Sequence, residues 1–203
     1  MMRLASLLML TAALLPAQSA SFDYYLLALS WAPEFCATHH SGQTGLECDP
    51  RRHRGFVVHG LWPQLANGPS PENCGSARPV AGSIINSTLN AMPSAGLIQH
   101  EWRTHGTCSG LDAATYFRDI VSDYSAIQKP QLQGQMSPRQ IEQAFAQANH
   151  ANSNSFRAEC RGGELSEVRA CVSKDLSRGL QFVQCTPSAG GCNAPSVTVR
   201  PIP

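Results

Sequence analysis

Three histidines and one glutamate stand in company that suits proton transfer. His59 follows the apolar run Phe56-Val57-Val58 and precedes Gly60-Leu61-Trp62-Pro63. His100 and His105 flank Glu101 in His100-Glu101-Trp102-Arg103-Thr104-His105-Gly106-Thr107-Cys108. That second stretch comes close to the His-Glu-x-x-His pattern of zinc proteases, in which two histidines four residues apart share one helix face. Here they are five apart, a rotation of ~140°, so they point to different sides of a helix and a shared zinc is disfavoured. Glu101 and His105 are four apart, a rotation of only ~40°, which sets a carboxylate beside an imidazole at one reacting centre. With two separate histidines, one imidazole can take a proton while the other gives one, because histidine titrates near neutrality. The chain has no Gly-x-Ser-x-Gly elbow and its eight cysteines read as four pairs, so a nucleophile supplied by the protein is not indicated. The expected chemistry is acid–base catalysis with neither metal nor cofactor.

Those residues need elements to hold them. Residues 22–31 read as a buried strand stopped by Pro33, and residues 36–54 as a long loop containing Cys36 and Cys48. Phe56–Val58 reads as a short strand running into the His59 segment, and 64–79, rich in proline, as loop. Helices are expected over 84–92, over 94–105 with Ser94 as N-cap and Gly106 as the stop, over 112–128 with Asp112 as N-cap, and from Ser137-Pro138 onward. Residues 164–172 alternate as a strand does, and 180–185 and 197–200 read as two further strands. Strands and helices without a regular βαβ alternation indicate an α+β fold with a central, largely antiparallel sheet and flanking helices.

Of the 203 residues, 42% are hydrophobic and 14% charged, against roughly 25% charged in an average soluble protein. With 15 Lys and Arg against 14 Asp and Glu, there is no global basic field to attract a polyanion, so any handling of nucleic acid must be local. Arg51-Arg52-His53-Arg54 is the one basic cluster; it reads either as a guide for RNA or as a solvated loop face. The eight cysteines form an even set with no Cys-x-x-Cys pair, which indicates four disulfides in an oxidising compartment. Met1-Met2-Arg3, the apolar stretch Leu4–Pro16 and the small-residue site near 17–20 read as a signal peptide over 1–20, leaving a single domain over 21–203 that is secreted or periplasmic. Asn86-Ser87-Thr88 is a glycosylation sequon.

The segment Phe56–Pro63 and the segment His100–Cys108, in that order and about 40 residues apart, resemble the two active-site segments of the ribonuclease T2 family of secreted, metal-independent endoribonucleases. Asp23–Trp31, Pro33-Glu34-Phe35-Cys36 and Leu165–Cys171 are similar to further parts of the same family. The resemblance implies His105 as general base toward the ribose 2′-hydroxyl, His59 as general acid toward the departing 5′-oxygen and Glu101 as the carboxylate that assists at phosphorus. It further implies His100 at the phosphate and Trp62 at a base site, although core packing remains the other reading of Trp62 and Trp102. It pairs Cys36 with Cys48, Cys74 with Cys108, Cys160 with Cys192 and Cys171 with Cys185.

RNA carries its own nucleophile, so such a protein needs only to move protons and stabilise charge on phosphorus. The implied function is cleavage of single-stranded RNA through 2′,3′-cyclic phosphates, with broad base preference, by a monomer without an obligate protein partner or a membrane attachment. One position departs from the family pattern: Thr104 stands where a lysine is usual, and Arg103 is the adjacent cation expected to reach the phosphate in its place. That departure keeps open a weakened relative that binds RNA or a partner protein.

Overall fold

The computed structural model describes residues 21–39 and 46–203; the expected signal peptide lies outside the described residues. The chain runs through strand β1 (Tyr24–Trp31), helix α1 (Ala32–Thr38), β2 (Phe56–Gln64), α2 (Gly82–Thr88), α3 (Ala95–Thr104), α4 (Ala113–Ala126), β3 (Gly134–Met136), α5 (Pro138–Ala148), β4 (Phe156–Arg161), β5 (Glu164–Ser173) and β6 (Val197–Val199). The sheet has the order β2-β1-β5-β6-β3, with β4 also paired to β5. Every strand pairing is antiparallel except β5 with β6. The expected α+β architecture, a mostly antiparallel sheet with flanking helices, is the one observed.

β1 is apolar except at Ser30 because β2 and β5 flank it and both its faces are covered. On one face Leu27 and Leu29 join Val58 and Leu61 of β2, Val168 and Ala170 of β5, and Phe156 of β4. Against them pack Phe117 and Ile120 of α4, Ile141 and Phe145 of α5, and Ile98 of α3. Each of these side chains larger than alanine contributes roughly 1.5–3 kcal/mol by leaving water. The opposite face carries a smaller apolar cluster, Tyr24, Leu26, Cys171, Cys185 and Ala189, with Trp62 packed beside it.

Three helix starts follow from local chemistry. Ser94, Asp112 and Ser137 each accept a backbone N–H of their own first turn, from Leu97, Thr115 and Gln140 respectively. Ser137 and Gln140 complete a reciprocal capping box.

Four expectations need correction. The stretch read as loop from 36 begins inside α1, because Pro33 opens a helix just after β1 instead of only ending the strand. β2 does not stop at Val58 but runs through the whole His59–Pro63 segment; an edge strand tolerates Pro63, which has no N–H to leave unpaired. The helix expected over 84–92 ends at Thr88. Residues 180–185 make a single bridge, Phe182 to Val172, because β1 holds one edge of β5 and β4 holds the other as far as Ala170, leaving only the end of the strand free. The short strands β3 and β4 were not anticipated.

Candidate active site

Two elements meet to build the site. β2 is an edge strand, and the segment before α3 covers it, with the Val58 N–H donating to the Ala91 carbonyl at 2.9 Å. From α4, the hydroxyls of Tyr116 and Tyr124 donate to the β2 carbonyls of Leu61 (2.6 Å) and Phe56 (3.0 Å). The edge is thereby held from outside the sheet. Its pairing with β1 is interrupted: Ala28 faces Gly60 while Leu29 faces Val58, so His59 is an extra, bulged residue. The bulge releases His59 from strict alternation and aims its ring over the sheet face.

Its two ring nitrogens meet different carboxylates. Nδ1 lies 2.8 Å from Glu167 Oε2 on β5, and Nε2 lies 3.9 Å from Glu101 Oε1 on α3. Glu101 is 1% exposed, and the indole N–H of Trp62 donates to its Oε2 at 2.7 Å. His105 caps the end of α3, with its backbone N–H donating to the Glu101 carbonyl. The Trp62 ring stands between the imidazoles, edge-on to His59 at 5.0 Å and tilted against His105 at 5.3 Å. Gly60 allows this approach: a β-carbon there would overlap both the Trp62 indole nitrogen and the Glu101 carboxylate.

The environments push these groups apart. Burial lowers the His105 pKa to about 4, helped by the nearby His100 and His59. Burial also opposes charge on His59, but the hydrogen bond and charge of Glu167, with Glu101 beyond, outweigh it and raise that pKa. Burial raises Glu101 to about 7 against the opposing pull of His59 and the Trp62 hydrogen bond. Near neutrality His105 is therefore neutral and Glu101 half-ionised, while His59 holds its proton to higher pH than a free imidazole does.

Among the described residues no cluster of three His, Cys, Asp or Glu side chains has the arrangement of a metal site. The family model described as the ribonuclease T2 family matches residues 22–185, from the start of β1 past the end of β5. The chain belongs to the ribonuclease T2 family. Membership supports ribonuclease activity, of the endonucleolytic kind. A ribonuclease of Aeromonas hydrophila is 38% identical over 184 residues, covering 83% of this chain and 79% of its own. Ribonuclease MC of Momordica charantia is 29% identical, covering 85% of this chain and 98% of its own. In three dimensions the chain resembles RNase NT in complex with 5′-AMP, with a TM-score of 0.70 at 24% identity over 89% of this chain and 99% of that one.

Of the residues expected in a ribonuclease T2 site, His59, Trp62, Glu101 and His105 are brought together. His100 is exposed and linked to them only through its electrostatic effect on His105. Arg103 is exposed on α3, and no side-chain contact joins it to the four. Trp102 packs with Tyr116 and Phe117, which favours its core reading. Sequence reasoning missed Glu167 and Arg169. Their signal was present: residues two apart on a strand share a face, and here an acid and a base do so while Val168, Ala170 and Val172 occupy the other face.

The four disulfides join Cys36 to Cys48, Cys74 to Cys108, Cys160 to Cys192 and Cys171 to Cys185, the pairs the resemblance implies.

Proposed function

We propose that this protein is a metal-independent endoribonuclease that cleaves single-stranded RNA by attack of the ribose 2′-hydroxyl on the adjacent phosphorus. His105 takes the 2′-hydroxyl proton, the 2′-oxygen bonds to phosphorus, and the bond to the 5′-oxygen breaks as His59 gives that oxygen a proton. The products are a 2′,3′-cyclic phosphate and a 5′-hydroxyl. Glu101 assists at phosphorus; with a pKa of about 7 its carboxyl can donate a hydrogen bond to a phosphoryl oxygen when protonated. The observation that carries this reading is the opposite displacement of the two imidazoles, His105 downward and His59 upward, on either side of Trp62. The solved complex of RNase NT with 5′-AMP and that of a point mutant of RNase MC1 with 5′-UMP support a nucleotide-based substrate here.

His100 serves at the phosphate, and the half-buried face of Trp62 contributes to base binding without strong selection. A leader over 1–20, export to an oxidising compartment and a monomeric domain over 21–203 complete the proposal. Among the described residues no helix is long and apolar enough to cross a membrane.

The test is a digest of RNA and matched DNA with excess chelator, followed by identification of the termini. RNA alone is cut and cyclic phosphates accumulate; loss of cleavage under chelation, or equal cutting of DNA, sinks the mechanism. On the same substrate kcat/KM rises with pH through about 4, as His105 becomes neutral, and falls as His59 loses its proton. His59→Ala and His105→Ala each cost about 10²–10⁴ in turnover. A protein that binds RNA without turnover would establish the weakened relative instead.

A further inference from the structure

We infer that Glu167 is a positioning residue for His59: it accepts the Nδ1 proton and so leaves Nε2 as the nitrogen that faces the substrate and releases the transferable proton. The inference rests on the proposed role of His59 as general acid.

The hydrogen-bond inventory leads there directly. An ionised carboxylate only accepts, so at 2.8 Å from Glu167 Oε2 the His59 Nδ1 must be the donor. A histidine whose Nδ1 keeps its proton can gain or lose one only at Nε2, the nitrogen on the Glu101 side. Glu167 is 7% exposed, and a carboxylate so buried is stable only when it is paired. Both of its oxygens are engaged: Oε2 by His59, and Oε1 by the Nε–H of Arg169 at 2.7 Å. Arg169 is fixed in turn by the Ala189 carbonyl and by Glu159, each at 3.0 Å. Its guanidinium also lies over the Trp62 ring at 5.5 Å.

A row of alternating charge, His59–Glu167–Arg169–Glu159, thus crosses the sheet from β2 over β1 to β5 and β4. Ser30, the β1 residue paired with Glu167, is short where the row passes over it. An ion pair serving only to hold β5 would need Arg169 and one oxygen; the second oxygen is aimed at the imidazole.

Other titratable and charged groups also face His59. Glu101 does so from α3 and His105 from its end, Arg169 from β5 and Glu159 from β4, while Glu34 of α1, His39 just past its end and Arg161 of β4 line the same hollow. Among them, Glu167 alone is in direct hydrogen-bond contact with the ring.

Two measurements test the inference. In the wild-type protein, ¹⁵N shifts of His59 above its titration are expected to show the Nδ1–H tautomer; the Nε2–H tautomer overturns the inference, and no variant has to fold for this result. In Glu167→Gln the His59 titration and the alkaline limb of kcat/KM both move to lower pH, and kcat falls roughly 10–100-fold, the size of loss seen when the group that orients a metal-ligating histidine is removed. Glu167→Asp keeps the charge and returns the limb toward its wild-type position. A folded Glu167→Gln with an unmoved limb and unchanged kcat also overturns the inference. Undiminished RNA cleavage by His59→Ala, with the Nδ1–H tautomer intact in the wild type, refutes the acid assignment instead and leaves the Glu167 contact standing.

Discussion

Thr104 ends α3 one residue before His105, and its carbonyl accepts the Asn73 N–H at 2.7 Å, so its backbone is held by the loop that carries Cys74. Its side chain offers a hydroxyl but no charge to a phosphate gaining negative charge in the transition state. Losing such a cation costs roughly 10²–10³ in turnover when nothing replaces it. Arg103 lies ~100° around the helix, exposed and without an ion pair among the described residues, so its guanidinium is at liberty to swing. Thr104→Lys is expected to raise kcat more than it lowers KM, and Arg103→Ala to lower kcat. Kinetics of both variants and of the double variant decide the matter: small, additive changes in all three mean that neither position touches the transition state. The trio proposed as catalytic was readable at this scale because its residues lie in two short segments, with Glu101 and His105 four apart. Glu167 was not, because its pairing with His59 spans 108 positions and exists only through strand register.

At the scale of elements, caps and breakers were legible wherever the chemistry was local, as at Ser94, Asp112 and Ser137. What stayed hidden was set by competition for sheet edges. Segment 180–185 has strand-like residues, yet it meets β5 only at the end that β4 leaves free, with Phe182 turned to the main core and Cys185 tied to Cys171. α4 carries a cost of its own. Asp123 is 2% exposed, its Oδ2 has no hydrogen-bond partner among the described residues, and burial with nearby Asp119 raises its pKa to about 7. Because the folded pKa exceeds that of the unfolded chain, the folded state binds the extra proton between about pH 4 and 7. This residue therefore lowers stability as pH climbs through that window and keeps the deficit above it. Asp123→Asn is expected to add roughly 2 kcal/mol at pH 8 and little at pH 4, measured as the change in urea midpoint relative to wild type. An equal effect at both pH values removes the titration argument.

Across the whole molecule, the four bridges differ in what they constrain. Cys36–Cys48 closes a separation of 12 residues and Cys74–Cys108 one of 34. On chain entropy alone the longer loop is worth about 1 kcal/mol more. Cys108 is also fully buried three residues after His105, so this bridge anchors the end of α3. Replacing both Cys74 and Cys108 by alanine is expected to cost roughly 3–4 kcal/mol and to lower kcat, whereas the same change at Cys36 and Cys48 costs less and spares kcat. Denaturant melts and steady-state kinetics of the two double variants compare them, and equal losses of kcat would separate the bridge from the site. The overall class was legible from alternation and helix periodicity, but the strand order was not, since no local pattern says that β1 is central.

That central place has a temporal consequence. β1 is the first element of the described chain, yet one of its two neighbours, β5, follows some 140 residues later. A ribosome or a translocation pore releases β1 long before it releases β5. Until then half of its backbone donors and acceptors have no sheet partner, and its apolar side chains have no second wall. Local helices can form early, but the sheet, and with it the contact between His59 and Glu167, must wait for nearly the last fifth of the chain. Folding dominated by so distant a pairing is slow. The oxidation of Cys171 and Cys185, one on β5 and the other just beyond it, then falls naturally at the end of assembly, sealing a pairing that the beginning of the chain has been waiting to make.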